Sequence, residues 1–182
     1  WCTELGLNAS GAAYEWLATL LPGSGADESF AASEAAARRS QPGARGVTFL
    51  PYMADGERFD PNLRGGFCGL ALRHDYGDLV RAVFEGVAFA YRDYLGVMAE
   101  AGAPIREIHS SGGGARIDLW NQVKADVTGV PVVSVVSDAT SLGVALVAAT
   151  AVGLFPSLQE AVHRCVRVSR RYEPDAALAE LY

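Results

Sequence analysis

The sequence has few residues of the kinds that build metal or redox sites. It contains three widely separated cysteines (Cys2, Cys68 and Cys165) and three histidines without metal-ligand spacing (His74, His109 and His163). Neither a zinc-ligand spacing nor a paired redox motif is present. We therefore expect no metal site, and reduced thiols in a cytoplasmic protein.

Excess positive charge and long apolar runs are also missing. The 182 residues carry a net charge of -6, and no apolar run reaches the roughly 18 residues of a membrane span. Nothing in this balance favours nucleic acid or a membrane as a partner. Half of the residues are hydrophobic, which is enough for one domain with a sizeable core. A first residue other than Met and a helical pattern running to residue 182 predict a portion of a longer protein.

A strand, a glycine turn and a helix are predicted within residues 108–131 (IHSSGGGARIDLWNQVKADVTGVP). No Gly-Lys-Ser/Thr follows the glycines, so this is not a P-loop, and Ile117 replaces the third glycine of a dinucleotide fingerprint. The turn is either a tight connection or bare backbone on which a base or phosphate can lie. Asp118 is expected one helical turn after Gly114, where it could accept a hydrogen bond from an exocyclic amine. Alternatively, it is a first-turn carboxylate favoured by the helix dipole.

The strongest helical pattern covers residues 76–101, with Asp75 or Asp78 as its cap. Gly86 lies inside this helix and predicts close approach of another element. Glu85 is expected to pair with Arg81 or Arg92 on the same helix.

Shorter helices and strands are predicted around this one. Helices are expected at residues 12–21, 30–39, 138–151 and 158–164 and near the end of the chain. Asn8 or Ser10 is the expected cap of the first of these helices, and Asp138 that of the third. Strands are expected at residues 47–52, 65–72 and 132–136. Residues 53–66 are polar and form either a solvated loop or one that reaches toward a cleft. The alternation of helices and strands after residue 69 predicts an α/β fold with a partly parallel central sheet.

Three motifs in order resemble those of the FGGY carbohydrate kinases. Residues 65–70 (GGFCGL), 78–79 (DL) and 82–86 (AVFEG) are similar to the second signature of this family. Residues 110–132 resemble its adenosine motif, in the form closest to that of xylulokinases. Residues 50–61 are similar to the loop before the signature. The resemblance covers nearly the whole chain, 1–182, as one carboxy-terminal domain.

The resemblance implies an actin-like, ribonuclease-H-like fold with a mixed central sheet and helices on both faces. Two such domains would close on ATP, Mg2+ and a sugar. The nucleotide-binding positions of the family map onto residues of this chain as follows: Gly11, Glu15, Gly113, Gly114, Ala115 and Asp118. Asn is usual where Asp118 stands. Adenine would lie on the second glycine motif, with the phosphates pointing toward residues outside this chain.

No catalytic residue is expected in the chain, because the family's Asp-Gly-Thr loop and proton-accepting aspartate are absent from it. The sequence thus predicts the ATP-binding part of a sugar kinase, for xylulose or a related ketopentose. Its expected partners are an amino-terminal domain of the same polypeptide and the sugar, and a homodimer is a further hypothesis. The alternatives are a kinase of glycerol, erythritol, ribulose, gluconate or another polyol, or a non-catalytic actin-like interaction module.

Overall fold

The computed structural model describes residues 6–20, 26–57, 59–135 and 139–182. Seven helices are present in this part: α1 (Ser10–Thr19), α2 (Ala26–Arg39), α3 (Tyr76–Glu100), α4 (Asp118–Thr128), α5 (Ala139–Ala151), α6 (Leu158–Cys165) and α7 (Ala176–Ala179). The strands are β1 (Thr48–Leu50), β2 (Gly66–Cys68), β3 (Ile108–Ser110), β4 (Val132–Val135) and β5 (Val168–Tyr172). Short 3-10 helices occur at Ala44–Gly46 and Gly113–Arg116.

Helix α3 is the centre of the core. It begins with a reciprocal capping box, in which Asp75 and Asp78 each accept a hydrogen bond from the other's backbone N–H. This satisfies two of the amides that a helix start leaves without partners. Val80, Val83 and Phe84 are completely buried, and the helix packs against α1, α2, α4 and β1. The predicted long helix and its cap are therefore confirmed.

The glycine inside α3 allows β1 to pack directly on the helix. A β-carbon placed on Gly86 would stand 2.2 Å from the carbonyl oxygen of Phe49. Phe49 is itself buried, and its ring contacts that of Phe67 on β2 at 4.8 Å between centroids. The predicted close approach at Gly86 is confirmed.

The described strands form two small sheets. Strands β1 and β2 pair antiparallel, with Phe49 opposite Phe67. The other sheet has the order β3-β4-β5: β3 and β4 are parallel, and β4 and β5 are antiparallel. The partly parallel sheet is thus confirmed. Strand β5 was not predicted, because four of its five residues are exposed and it lacks the alternation of a half-buried strand.

The predicted cap of α1 is wrong. Ala9 precedes the helix, and no side chain caps it. Asn8 instead binds the loop that includes residues 56 and 57: its amide side chain donates to the Gly56 carbonyl at 3.4 Å, and its N–H to Glu57 Oε1 at 3.3 Å. Glu57 is buried, so this loop is not simply solvated. The predicted cap Asp138 lies outside the described residues.

Glu85 is the centre of a buried polar network. Its Oε1 accepts hydrogen bonds from Arg81 Nε at 2.8 Å, the Gly43 N–H at 2.9 Å and the Tyr182 hydroxyl at 2.7 Å. Pairing with Arg81 confirms one of the two predicted partners. The network joins α3 to the turn before β1 and to the last residue of the chain.

No helix in the described part of the chain is both long and apolar enough to cross a membrane.

Candidate functional site

The glycine turn leaves a stretch of bare backbone after β3. Gly112 has φ +80° and ψ −163°, a left-handed φ that side chains other than glycine rarely adopt. The 3-10 helix Gly113–Arg116 follows, and α4 begins at Asp118. A β-carbon on Gly113 would meet no atom within 4 Å. A flat group can therefore approach the backbone closely at this position.

Aromatic side chains pack against the glycine turn on the side that faces the core. The Trp120 ring stacks on Phe84 at 4.9 Å with an interplanar angle of 17°, and its indole N–H donates to the Phe84 carbonyl at 3.2 Å. Tyr14 on α1 packs edge-on against Trp120 at 5.7 Å. Asn121 Nδ2 donates to the Ala115 carbonyl at 2.8 Å. Asn121 thus ties the turn to α4, and the anchored Trp120 ring lies against Gly114, where a β-carbon would stand 3.2 Å from it.

A cleft of about 300 Å³, here called the base cleft, opens between this turn and helices α1 and α2. Four of the six predicted site residues line it: Gly11, Glu15, Gly113 and Gly114. Glu34 and Arg116 line it as well. Ala115 is buried in the turn just behind these residues. The structure therefore brings together two segments that lie about a hundred positions apart in the sequence.

Asp118 lies beyond the base cleft, in a neighbouring groove with Glu34 and Arg116. The expectation that it follows Gly114 on the same helical face is wrong, because the extended Ile117 (φ −98°, ψ 101°) separates the 3-10 helix from α4. Asp118 is the acidic residue in the first turn of α4, as the helix-dipole alternative predicted. Its two oxygens bind Arg170 Nη1 at 2.7 Å and the Tyr172 hydroxyl at 2.5 Å.

A second cavity, here called the lysine cavity, lies on the other side of the glycine turn. Its volume is about 470 Å³, and Tyr91, Ser110, Ser111 and Lys124 are among the residues that line it. Gly11, Gly113, Gly114 and Trp120 line both cavities. The two cavities therefore meet at the turn.

Lys124 is a polar residue of this site that the sequence analysis missed. Only 6% of it is exposed, and burial lowers the pKa of its amine to about 8. The sequence does indicate that Lys124 is buried, because it shares the spacing of one helical face with Trp120, Val123 and Val127. A lysine on an otherwise apolar, buried face is unusual.

Comparison with known proteins identifies the family. The sequence model described as "FGGY family of carbohydrate kinases, C-terminal domain" matches residues 1–152. A xylulose kinase from Staphylococcus epidermidis is 34% identical over 160 residues, which are 86% of this chain and 32% of that protein. An autoinducer-2 kinase from Yersinia pestis is 36% identical over 162 residues, 85% of this chain and 30% of that protein.

Solved structures agree with this result. The xylulose kinase of Rhodospirillum rubrum superimposes with a TM-score of 0.83 at 35% identity, over 94% of this chain and 35% of that one. A Plasmodium falciparum glycerol kinase with ADP has a TM-score of 0.72 at 19% identity, over 94% of this chain and 34% of that one, and supports the fold alone.

The neighbours share the predicted actin-like, ribonuclease-H-like fold, which is confirmed. The chain spans about a third of the length of the curated relatives it matches. It belongs to the FGGY family of carbohydrate kinases, through the carboxy-terminal domain of that family.

Proposed function

We propose that this chain binds the nucleotide in a carbohydrate kinase that transfers the γ-phosphate of ATP to a sugar hydroxyl. The observation that carries the proposal is the bare, rigidly held backbone at Gly113, which faces Gly11 and Glu15 across the base cleft. Glycines that let a ligand approach the backbone, followed by a helix start, suit a nucleotide. Family membership supports ATP as the phosphate donor.

Adenine fits the base cleft on grounds of shape and charge. A flat ring can lie on the Gly113 backbone, where a β-carbon would have met open space. The carboxylates of Glu15 and Glu34 line the same cleft, and carboxylates accept hydrogen bonds from an exocyclic amine. Asp118 is a further acceptor at the outer end, already oriented by Arg170 and Tyr172.

Mg2+ would reach this site with the nucleotide. Magnesium in kinases is commonly held through phosphate oxygens and only one or two carboxylates. Among the described residues, no group of three histidine, cysteine, aspartate or glutamate side chains could hold a metal ion. We propose that the magnesium ligands come from the nucleotide and from the rest of the polypeptide. When bound, the ion would neutralise charge on the transferring phosphoryl group.

The sugar and the catalytic aspartate are assigned to the rest of the polypeptide, which we take to be an amino-terminal domain. The chain covers only 32% of its Staphylococcus relative. Exposed apolar side chains that such a domain could cover occur on α5, α6 and their connection: Val144, Val147, Val152, Leu154, Leu158 and Val162. Large exposed apolar patches mark protein interfaces.

Xylulose or a related ketopentose is the substrate we propose. Xylulose kinases are named among both the curated relatives and the solved structures at about 35% identity. The autoinducer-2 kinase has a similar identity, and a gluconate kinase superimposes at 28%. Autoinducer-2 and gluconate are therefore the substrates to compare with xylulose in an activity assay.

Nucleotide binding is tested by NMR titration of the 15N-labelled chain with ADP. We expect weak binding, with a dissociation constant of about 1 mM, because a few hydrogen bonds and partial burial of the base supply about 4 kcal/mol. Gly113→Val should abolish it by filling the base cleft. Gly143→Val on α5 is the matched control, since a β-carbon there also meets nothing within 4 Å. Equal binding by both variants, or no shift with the wild type, would contradict the proposal.

Substrate choice is tested on the full-length parent by coupled ADP release with xylulose, glycerol, gluconate and autoinducer-2. Xylulose should give the highest kcat/KM. A parent that turns over glycerol or gluconate but not xylulose would overturn the substrate assignment and leave the kinase assignment intact.

A further inference from the structure

Lys124 is the only lysine among the 182 residues, and its ammonium group is buried. Its Nζ lies 3.4 Å from Ser110 Oγ and 3.5 Å from Asn121 Oδ1, both neutral oxygens at the outer limit of hydrogen-bond range. It also lies 4.7 Å from the centre of the Trp120 ring. No carboxylate of the described residues forms an ion pair with it.

A buried ammonium without a counter-charge is costly. Charges inside proteins are normally paired and fully hydrogen-bonded, because two weak neutral contacts do not replace the water that the ion has lost. The lowered pKa of Lys124 has burial as its cause. An anion brought within contact distance of Nζ would remove this cost, so the position favours an anionic ligand.

The lysine cavity gives such an anion access to the amine. Ser110, Ser111 and the backbone of Gly113 and Gly114 line it together with Lys124. None of the described residues that line this cavity is an aspartate or glutamate. The base cleft on the other side of the turn is lined by two carboxylates, Glu15 and Glu34, and one guanidinium, Arg116, so its lining has a net negative charge. The electrostatic character therefore changes from acidic to basic across the glycine turn.

A nucleotide has the matching asymmetry. Its base carries hydrogen-bond donors and no charge, and its phosphates carry all of the negative charge. A ligand that crosses the turn where the two cavities meet can place its base beside the glutamates and its phosphates beside the lysine. The reverse orientation would bring phosphate oxygens into a cleft lined by two carboxylates and one guanidinium, whose net negative charge disfavours them.

We propose that the Lys124 ammonium binds a phosphate oxygen of the nucleotide whose base lies over Gly113. This inference rests on the proposed function and adds to it a phosphate-binding residue within the chain. It also modifies the expectation that the phosphates point only toward residues outside it. Ser110 and Asn121 hold the amine in place until the phosphate arrives.

Because the chain has one lysine, its side-chain amine can be observed directly. In a chain labelled with 13C,15N-lysine, we would follow the Lys124 Cε and Nζ signals against pH, alone, with adenosine and with ADP. The titration midpoint should rise by about one pH unit or more with ADP and stay unchanged with adenosine. A midpoint that is the same with ADP, under conditions where ADP binds, would overturn the inference.

Lys124→Met provides the second measurement. Methionine keeps the length of the side chain and removes the buried charge, so the fold should be retained. ADP affinity should fall about tenfold, as expected for a lost hydrogen bond to a charged group, with adenosine affinity unchanged. Arg164→Met, which removes an exposed charge on α6, should change neither.

The outcomes separate the two proposals. If the wild type binds both ligands and Lys124→Met binds ADP equally well, Lys124 does not contact phosphate and the nucleotide site stands. If the wild type binds neither ligand, the proposed function fails, and this inference fails with it.

Discussion

The carbonyl oxygen of Phe49 on β1 occupies the place where a side chain on Gly86 of α3 would begin, since a β-carbon there would lie 2.2 Å from it. Glycine inside a helix costs about 1 kcal/mol relative to alanine. Direct packing of β1 on α3 offsets this cost, because it buries Phe49 against the centre of the core.

Gly86→Ala should therefore destabilise the chain although alanine is the better helix former. The added methyl group must separate β1 from α3, and we expect a loss of about 1–3 kcal/mol in the free energy of unfolding. The control is Gly96→Ala in the same helix, where a β-carbon meets nothing within 4 Å. This change should stabilise the chain by up to about 1 kcal/mol. Urea unfolding of both variants measures the difference, and effects of the same sign would contradict the packing argument.

Glu85→Gln should cost about 3 kcal/mol, because it leaves Arg81 buried without its counter-charge. Gln can still accept some of the three hydrogen bonds that Oε1 receives, so the chain should fold. Glu160→Gln, which removes the exposed pair with Arg164 on α6, should cost less than about 1 kcal/mol. Equal midpoints for the two variants in urea unfolding would show that the Glu85 network adds little to stability.

The contribution of Lys124 to the stability of the chain should rise with pH between about 8 and 9.5. Its pKa is about 8 in the folded chain and ordinarily 10.5, so the unfolded state binds more protons in this range and folding is favoured as the pH rises. Over 1.5 pH units the gain approaches about 2 kcal/mol. Well below pH 8 the amine is protonated in both the folded and the unfolded state, so its contribution to stability no longer changes with pH.

The difference between wild type and Lys124→Met isolates this effect. Burial raises the pKa of Tyr14 and of Tyr182, so both forms should lose stability at higher pH as tyrosines ionise in the unfolded chain. Urea unfolding should give free energies of unfolding whose difference, wild type minus Lys124→Met, is larger at pH 9.5 than at pH 7.5. A constant difference would mean that the amine is not desolvated.

Asp118→Asn should lower ADP affinity about fivefold if the carboxylate accepts a hydrogen bond from the base, since a charged acceptor is stronger by about 1 kcal/mol. Stability should change by less than about 1 kcal/mol, because the pair with Arg170 is half exposed. Asp93→Asn on the exposed side of α3 is the control. Unchanged ADP binding, measured by NMR titration, would exclude Asp118 from the contact.

Local patterns predicted the parts of the fold that depend on neighbouring residues. The apolar spacing of α3, its Asp75–Asp78 cap and the break at the glycine turn each involve a few consecutive positions, so their physical causes are visible in the sequence. Gly86 is a boundary case. Its cost to the helix predicted a close neighbour, but only the structure identified that neighbour as Phe49.

Contacts between distant positions could not be predicted in this way. Asn8 has a good capping side chain, yet it donates to the Gly56 carbonyl across 48 positions, because the fold brings this distant loop beside it. Strand β5 forms by pairing with β4, although its exposed residues carry no strand pattern. Asp118 was placed on the wrong face because a single extended residue, Ile117, breaks the helix before it.

The sequence by itself determined the family, the order of helices and strands apart from β5, and the glycines that leave room for a ligand, since these depend on residue type and on short spacings. Tertiary structure alone decided that Gly11 and Glu15 share a cleft with Gly113, and that a lone lysine is buried behind the turn. Burial and electrostatic pairing depend on which distant atoms exclude water from a group. That arrangement exists only once the chain has packed.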